Sequence, residues 1–146
     1  MIYCDSSFLV PLYLYEAGAS ERARAEARQW KEKPLISPLA ELELANTLRR
    51  KIFEKLIEES DAHFAWQRFR EDLQNGIFEW ARLNLAVGFR DAITLTEKHT
   101  AAGGYRSLDV LHVTMARLLG AAVFLSFDQR QNTLAKAEKL KIMKLK

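Results

Sequence analysis

The chain has 146 residues, 49% of them hydrophobic and 28% charged, with a formal net charge of +3. This length predicts one domain, residues 1–146, with room for a packed core but little room for a second domain. No apolar run approaches the ~18 residues that span a bilayer, and the first residues lack the pattern of a signal peptide. With Cys4 as the only cysteine, a disulfide within the chain is excluded, so we expect a cytoplasmic protein without membrane association.

Short apolar runs alternate with longer helical segments along the whole chain. In order, we predict a strand at 2–5, helices at 7–15 and 20–33, a strand at 35–37, helices at 38–54 and 58–75, a strand at 78–83, helices at 85–102 and 107–119, a strand at 123–127, a helix at 129–140 and a strand at 142–145. Strands separated by helices favour right-handed crossovers and a parallel sheet. The predicted fold is therefore α/β, a three-layer α/β/α sandwich around a central parallel sheet of about five strands.

Two aspartates stand at the carboxyl ends of predicted strands, Asp5 after the first and Asp128 after the fourth. Ligands of open parallel sheets collect beyond these ends, so both residues are candidates for a site. An aspartate in this position also commonly caps the following helix, which is the alternative for each of them taken alone.

Asp109 lies near the start of a helix, residues 107–119, that is apolar almost all round. A carboxylate on a buried helix is unfavourable unless it is paired or bound to a cation. With Ser107 as the expected N-cap, Asp109 would occupy the N2 position, where the helix dipole gives partial relief. We therefore add Asp109 to the candidate site.

The predicted helix at 38–54 offers two glutamates, Glu41 and Glu43. At 100° per residue, Leu44 and Leu48 belong to an apolar arc, and Glu43 lies opposite it in a polar stripe that includes Arg50. Glu41 falls on the apolar side within the first turn, where a dipole-stabilised carboxylate is common. The helix phase thus selects Glu43.

Carboxylate oxygens without sulfur or imidazole ligands favour a hard cation, Mg²⁺ or Mn²⁺. Such an ion can activate a water molecule and neutralise a phosphodiester during in-line displacement. None of the three histidines has the spacing of a metal-binding pair. His112, one turn after Asp109, either orients that aspartate or is a hydrogen-bonded core histidine.

Four segments in order resemble the PIN-domain nucleases and, within them, the VapC-type toxins of prokaryotic toxin–antitoxin pairs. They are Tyr-Cys-Asp-Ser-Ser at 3–7, Ser-Pro-Leu-Ala-Glu-Leu-Glu-Leu at 37–44, Ser-Leu-Asp-Val-Leu-His at 107–112 and Leu-Ser-Phe-Asp-Gln-Arg-Gln at 125–131. The resemblance covers essentially the whole chain, and its spacing also selects Glu43. Ser6 and Ser126 stand where threonine is commoner in the family, and both keep a hydroxyl group.

This resemblance implies a Mg²⁺-dependent endoribonuclease that inhibits translation by cutting structured RNA, usually transfer RNA or ribosomal RNA. It also implies a homodimer and a cognate antitoxin that wraps the protein and blocks the site. Some relatives carry a further acid beside the third aspartate, where this chain has His112 and Val113, so the resemblance leaves open whether the site binds one metal ion or two.

The roles we assign follow the chemistry of each side chain. Asp5, Asp109 and Asp128 are expected metal ligands, directly or through water, while Glu43 completes the ligand set or takes a proton from the attacking water. Hydroxyl groups of Ser7 and Ser126 would support the ligands. Two arginines, Arg50 and Arg130, are candidates for substrate phosphate, with a surface ion pair as the alternative.

Three other functions remain open at this point. An aspartate-based phosphoacceptor or phosphatase domain also places Asp5 after a first strand, but such phosphatases need a second aspartate where this chain has Ser7. A receiver domain needs a lysine after a late strand, which the run after residue 125 does not offer. The others are a binding module of the same fold that has lost catalysis, and an RNA-processing nuclease of the PIN fold that is not a toxin.

Overall fold

The computed structural model of the chain describes residues 1–143. Its elements are β1 (Ile2–Cys4), α1 (Ser6–Tyr13), α2 (Ala19–Ala27), β2 (Leu35–Ile36), α3 (Pro38–Phe53), α4 (Glu59–Gln74), β3 (Glu79–Trp80), α5 (Leu85–Gly103), α6 (Ser107–Leu118), β4 (Val123–Leu125), α7 (Gln129–Ala137) and β5 (Lys141–Ile142). Every predicted element is present in the predicted order. The last predicted strand begins one residue earlier, and its positions 144 and 145 lie outside the described residues.

The five strands form one sheet in the order β3-β2-β1-β4-β5, and every neighbouring pair is parallel. Cys4 at the end of the central strand is in register with Ile36 on one side and Leu125 on the other. The carboxyl ends of β1 and β4 therefore meet, and the amide of Asp5 donates to the carbonyl of Leu125 over 3.1 Å.

Alternate residues of the strands enter two separate cores. Cys4 and Leu125 pack with α1, α3 and α4, whereas Tyr3 and Phe124 pack with α5, α6 and α7. A sheet covered by helices on both faces needs apolar residues on both faces, which these strands supply. The predicted three-layer α/β/α sandwich is confirmed.

Helix α2 is the clearest local difference, since the structure ends it at Ala27 and the predicted helix continued to residue 33. Pro34 disfavours a helical residue before it, and Trp30 turns into the core beside α1. Helix α7 also ends three residues earlier than predicted, and Lys139 just after it has a positive φ of 66°. A residue in the left-handed region cannot continue a helix.

None of the helices in residues 1–143 combines the length and apolarity needed to cross a bilayer.

Candidate active site

Asp5 is completely buried at the end of β1, where it caps the N terminus of α1. Its Oδ1 accepts a hydrogen bond of 3.0 Å from the amide of Phe8. The hydroxyl of Ser7 donates to both carboxylate oxygens, at 2.8 and 3.0 Å, and the hydroxyl of Ser126 donates to Oδ2 at 2.7 Å. The capping role weighed from the sequence is thus confirmed, and two hydroxyl groups, one from α1 and one just after β4, also donate to the carboxylate.

Burial raises the pKa of Asp5 to about 6, although the charge of His112, the two serine hydroxyls and the amide of Phe8 all act to lower it. Desolvation penalises the ionised form of a carboxyl group, and hydrogen bonds to that form only partly offset the penalty. Asp5 therefore carries a charge at neutral pH that its surroundings do not fully compensate.

A groove of about 950 Å³ opens beside the ends of β1 and β4. Three of the predicted carboxylates line it: Glu43 from α3, Asp109 from α6 and Asp128 from the turn before α7. Asp5 itself is buried, while Ser7, which donates to it, lines the groove. The structure thus gathers the four predicted acids in one region, with Asp5 behind the hydroxyl of Ser7.

Glu43 contacts His112 rather than standing alone. Its Oε1 accepts from Nε2 of His112 and from the hydroxyl of Ser6, the latter at 3.2 Å. The ring of His112 is fully buried, and its Nδ1 lies 2.7 Å from the hydroxyl of Tyr3. Of the two roles considered for His112, the structure shows a hydrogen-bonded histidine whose carboxylate partner is Glu43, with no hydrogen bond to Asp109 among the described residues.

Asp109 is buried and closes the first turn of α6. Its Oδ2 accepts from the amide of Arg106 at 3.1 Å and lies 3.6 Å from Nε of the same residue. Its Oδ1 accepts from the side chain of Gln131 at 3.3 Å. The expected N-cap, Ser107, is wrong by one position: Arg106 is the N-cap and Asp109 is at N3, because the carboxylate reaches back to the Arg106 amide as in a capping box.

Asp128 caps α7, and its Oδ1 accepts from the amides of Arg130 and Gln131 at 2.8 and 3.1 Å. Its own amide donates to the hydroxyl of Ser126 at 2.9 Å. Ser126 therefore bonds both strand-end aspartates. Within residues 1–143, no donor forms a hydrogen bond with Oδ2 of Asp128.

A family model described as PIN domain matches residues 2–137. The chain belongs to the PIN domain family. The crystal structure of VapC20 of Mycobacterium tuberculosis, a Sarcin-Ricin loop cleaving toxin, is similar at a TM-score of 0.71 and 16% identity, covering 91% of this chain and 94% of that one. PAE2754 from Pyrobaculum aerophilum is similar at a TM-score of 0.64 and 15% identity, covering 97% of this chain and 87% of that one. Comparison with curated proteins finds no match.

Of the remaining residues considered from the sequence of this PIN domain, some line the groove and others lie outside it. Arg50 lines it and forms an exposed ion pair of 3.5 Å with Glu54. Arg130 is exposed and is not part of the groove lining. Glu41 lies outside the groove and accepts a hydrogen bond of 2.7 Å from the indole of Trp80. Glu43 and Glu41 thus face different surroundings.

Sequence reasoning missed the contacts of Tyr3 and Gln131. In the sequence, Tyr3 looks like an ordinary apolar residue of a buried strand. Its hydroxyl meets His112 only because α6 packs against the sheet. Gln131 is buried, and its Oε1 has no hydrogen-bond partner among residues 1–143. A glutamine three residues after Asp128, on the helix that Asp128 caps, is the one signal that could have indicated it.

In the described part of the chain, no three Asp, Glu, His or Cys side chains lie close enough together to hold a metal ion. The four carboxylates share a region without converging on one point. Their chemistry nevertheless fits a divalent cation, because the donor set is all oxygen. The buried, incompletely compensated carboxylate of Asp5 is the kind of group that a cation would stabilise.

Proposed function

We propose that this PIN domain is a divalent-metal-dependent endoribonuclease, the toxin of a VapBC-type pair, acting in the cytoplasm with Mg²⁺ or Mn²⁺. One observation carries the proposal: Glu43, Asp109 and Asp128 line a single groove at the carboxyl edge of the sheet, with Asp5 buried behind Ser7. Acidic side chains at this edge are what hydrolysis of a phosphodiester with a hard cation requires.

The four carboxylates would hold the cation, which supplies charge neutralisation and an activated water when bound. Side chains of the protein position the ligands, accept the proton and bind the substrate. Ser7 and Ser126 hold the Asp5 carboxylate by direct hydrogen bonds. Glu43 either completes the ligand set or accepts a proton from the attacking water. The oxygen available for this is Oε2, to which no donor of residues 1–143 donates. Arg50, whose guanidinium is largely exposed at the groove, binds a substrate phosphate.

For the substrate we infer structured RNA, transfer RNA or ribosomal RNA. The similarity to VapC20, a toxin that cleaves the Sarcin-Ricin loop, supports this class. Arg130, which is exposed next to the groove residue Gln131, would contact a substrate that is larger than the groove.

We further propose a homodimer and a cognate antitoxin that occupies the groove. The groove combines its carboxylates with apolar side chains, among them Leu39, Leu42 and Leu108. Such a surface fits a partner segment that inserts one arginine among acidic groups and packs apolar residues beside it. Exposed Phe89 and Ile93, one turn apart on α5, offer an apolar face for the second copy.

A phosphoacceptor aspartate is the weaker alternative. Phosphatases that use one need a second aspartate two residues later, and this chain has Ser7 there, whose hydroxyl donates to Asp5. A processing nuclease of the same fold uses the same groove, and only its effect on growth separates it from a toxin.

The proposal is tested by incubating purified protein with end-labelled total RNA in Mn²⁺, and then in EDTA. New discrete bands in Mn²⁺ that are absent in EDTA are expected. Asp109→Asn should abolish them, while Asp91→Asn, on α5 and outside the groove, should cleave as wild type does. Equal cleavage by Asp109→Asn and wild type in contaminant-free preparations would contradict the assignment.

A further inference from the structure

A chain of buried hydrogen bonds connects the start of α3 to Glu43 by way of β1 and α6. The hydroxyl groups of Ser37 and Tyr3 are 2.8 Å apart, and the Tyr3 hydroxyl is 2.7 Å from Nδ1 of His112. On the other side of the ring, Nε2 contacts Oε1 of Glu43. Ser37, Tyr3 and His112 are all fully buried, so the imidazole cannot turn without breaking a hydrogen bond that water does not replace.

The partners of the ring determine where its proton lies. An ionised Glu43 has only acceptor atoms, so Nε2 of His112 must carry a proton to contact it. The hydrogen bond at one imidazole nitrogen decides how the other nitrogen is protonated. A phenol hydroxyl can donate or accept a hydrogen bond, so the Tyr3 hydroxyl is a suitable partner for Nδ1 at 2.7 Å.

At the Glu43 end of this series of hydrogen bonds, the two carboxylate oxygens differ in their partners. Oε1 accepts from His112 and, at 3.2 Å, from the hydroxyl of Ser6. Among residues 1–143, nothing donates to Oε2. Two donors on one oxygen restrict rotation of the carboxylate, and the second oxygen is left for whatever enters the groove.

We propose that His112, held by Tyr3, is a positioning residue that orients the carboxylate of Glu43 in the groove. This inference rests on the proposed function, in which Glu43 acts on the cation or on the attacking water. Without the Tyr3 hydroxyl, the imidazole loses its partner at Nδ1, the donor to Oε1 is weakened, and Glu43 samples other rotamers.

A purely structural role of the buried histidine is the competing explanation, and Tyr13 provides a matched control. Tyr13 is also buried, and its hydroxyl donates to Asp72 at 2.6 Å, outside the groove. Tyr3→Phe and Tyr13→Phe each remove one hydroxyl hydrogen bond and keep the aromatic ring. The ring of Tyr3 is stacked on Phe124 with centroids 5.6 Å apart, so the Phe variant retains its packing.

The two variants and wild type should be compared by Mn²⁺ titration calorimetry without RNA and by kcat and KM for cleavage of one RNA. Partners that orient metal ligands typically contribute 10- to 100-fold, so we expect Tyr3→Phe to lower kcat about 10-fold with KM unchanged and to weaken Mn²⁺ binding. Tyr13→Phe should lower the stability of the protein but leave kcat, KM and Mn²⁺ affinity unchanged. If Tyr3→Phe matches Tyr13→Phe in kcat and in Mn²⁺ affinity, the positioning role is overturned.

A second measurement on metal-free protein keeps this inference separate from the proposed function. The ¹⁵N resonances of His112 should report a protonated Nε2, and they should shift in Glu43→Gln but not in Glu41→Gln. If wild type neither binds Mn²⁺ nor cuts RNA, the proposed function fails, and positioning for catalysis fails with it, even where the resonances show the contact. If the His112 resonances do not shift in Glu43→Gln, the contact between His112 and Glu43 is contradicted, whatever the result of the nuclease assay.

Discussion

The hydroxyl of Ser126 donates a hydrogen bond of 2.7 Å to Oδ2 of Asp5, joining the ends of the adjacent strands β4 and β1. Asp5 and Ser126 are both fully buried. Under the proposed function, Asp5 helps to hold a cation, and the buried carboxylate lowers the stability of the protein when no cation is bound. This loss of stability can be measured.

Asp5→Asn should therefore stabilise the metal-free protein above pH 6. Burial raises the pKa of Asp5 from 3.8 to about 6, so wild type loses stability as pH rises from about 4 through 6 and the buried group ionises. At about 1.4 kcal/mol for each unit between the folded and unfolded pKa, the advantage of the variant reaches at most about 3 kcal/mol. Urea unfolding in EDTA at pH 7.5 and pH 4.5 measures it.

The control for this comparison is Asp91→Asn, which should show no pH-dependent gain. Below pH 4 the advantage of Asp5→Asn should disappear, because the native carboxyl group is then protonated in both the folded and the unfolded chain. The same stability difference at both pH values would show that the charge of Asp5 is compensated.

Glu43→Gln and Glu41→Gln should differ sharply in activity. Loss of a general base typically costs about 10²- to 10⁴-fold in rate, whereas Glu41 only accepts from Trp80 at the edge of the sheet. Glu41→Gln should cost about a few tenths of a kcal/mol in helix stability and leave the cleavage rate unchanged. The measurement is the cleavage rate of each variant on one RNA, compared side by side. A slower rate for Glu41→Gln than for Glu43→Gln would contradict the assignment of Glu43.

Glu138 should make stability depend on pH away from the groove. Its side chain is only 4% exposed and contacts Lys98, His99 and Arg117 on α5 and α6. Burial acts to raise the pKa of Glu138, but its hydrogen bonds with His99 and Lys98 and the charge of Arg117 together lower it. A lowered folded pKa means that this stabilisation is present at neutral pH and is lost as pH falls through that pKa.

Glu138→Gln should consequently destabilise the protein by about 2 kcal/mol at pH 7, the usual contribution of hydrogen bonds to a charged group. The loss should shrink in acid. Glu97→Gln, an exposed position on α5, serves as the control. Thermal unfolding of the three proteins across pH 3 to 7 checks this, and a loss that does not vary with pH would argue against the ionic contacts.

The order of elements and the parallel sheet followed from the sequence because apolar strands and amphipathic helices alternate along it. The approach of Asp5 to Asp128 was predictable for the same reason, since neighbouring parallel strands end at one edge. The contact between Glu43 and His112 was not, because it joins two helices whose packing the strand pattern does not determine. It exists only once α3 and α6 have packed at the same edge. Nor was burial of Asp5 behind Ser7 predictable, because spacing does not reveal which groups face solvent.

Growth of the host cell tests the hypothesis that the protein is a toxin. Wild type expressed from a tight promoter should stop growth, and Asp5→Asn should not. Coexpression with the cognate antitoxin should restore growth by placing an arginine among the groove carboxylates. Replacing that arginine with alanine should weaken the rescue. Harmless expression of wild type in its own host would favour a processing nuclease.

Cleavage of a circular RNA is the most direct test of endonucleolytic hydrolysis at this groove. A circle has no ends, so only an internal cut produces the linear form. Wild type with Mn²⁺ should linearise a circle carrying a susceptible structured loop, Glu41→Gln should do so at the same rate, and Glu43→Gln and Asp109→Asn should leave it closed. A circle that stays intact with wild type, while linear RNA is shortened from its ends, would contradict the account.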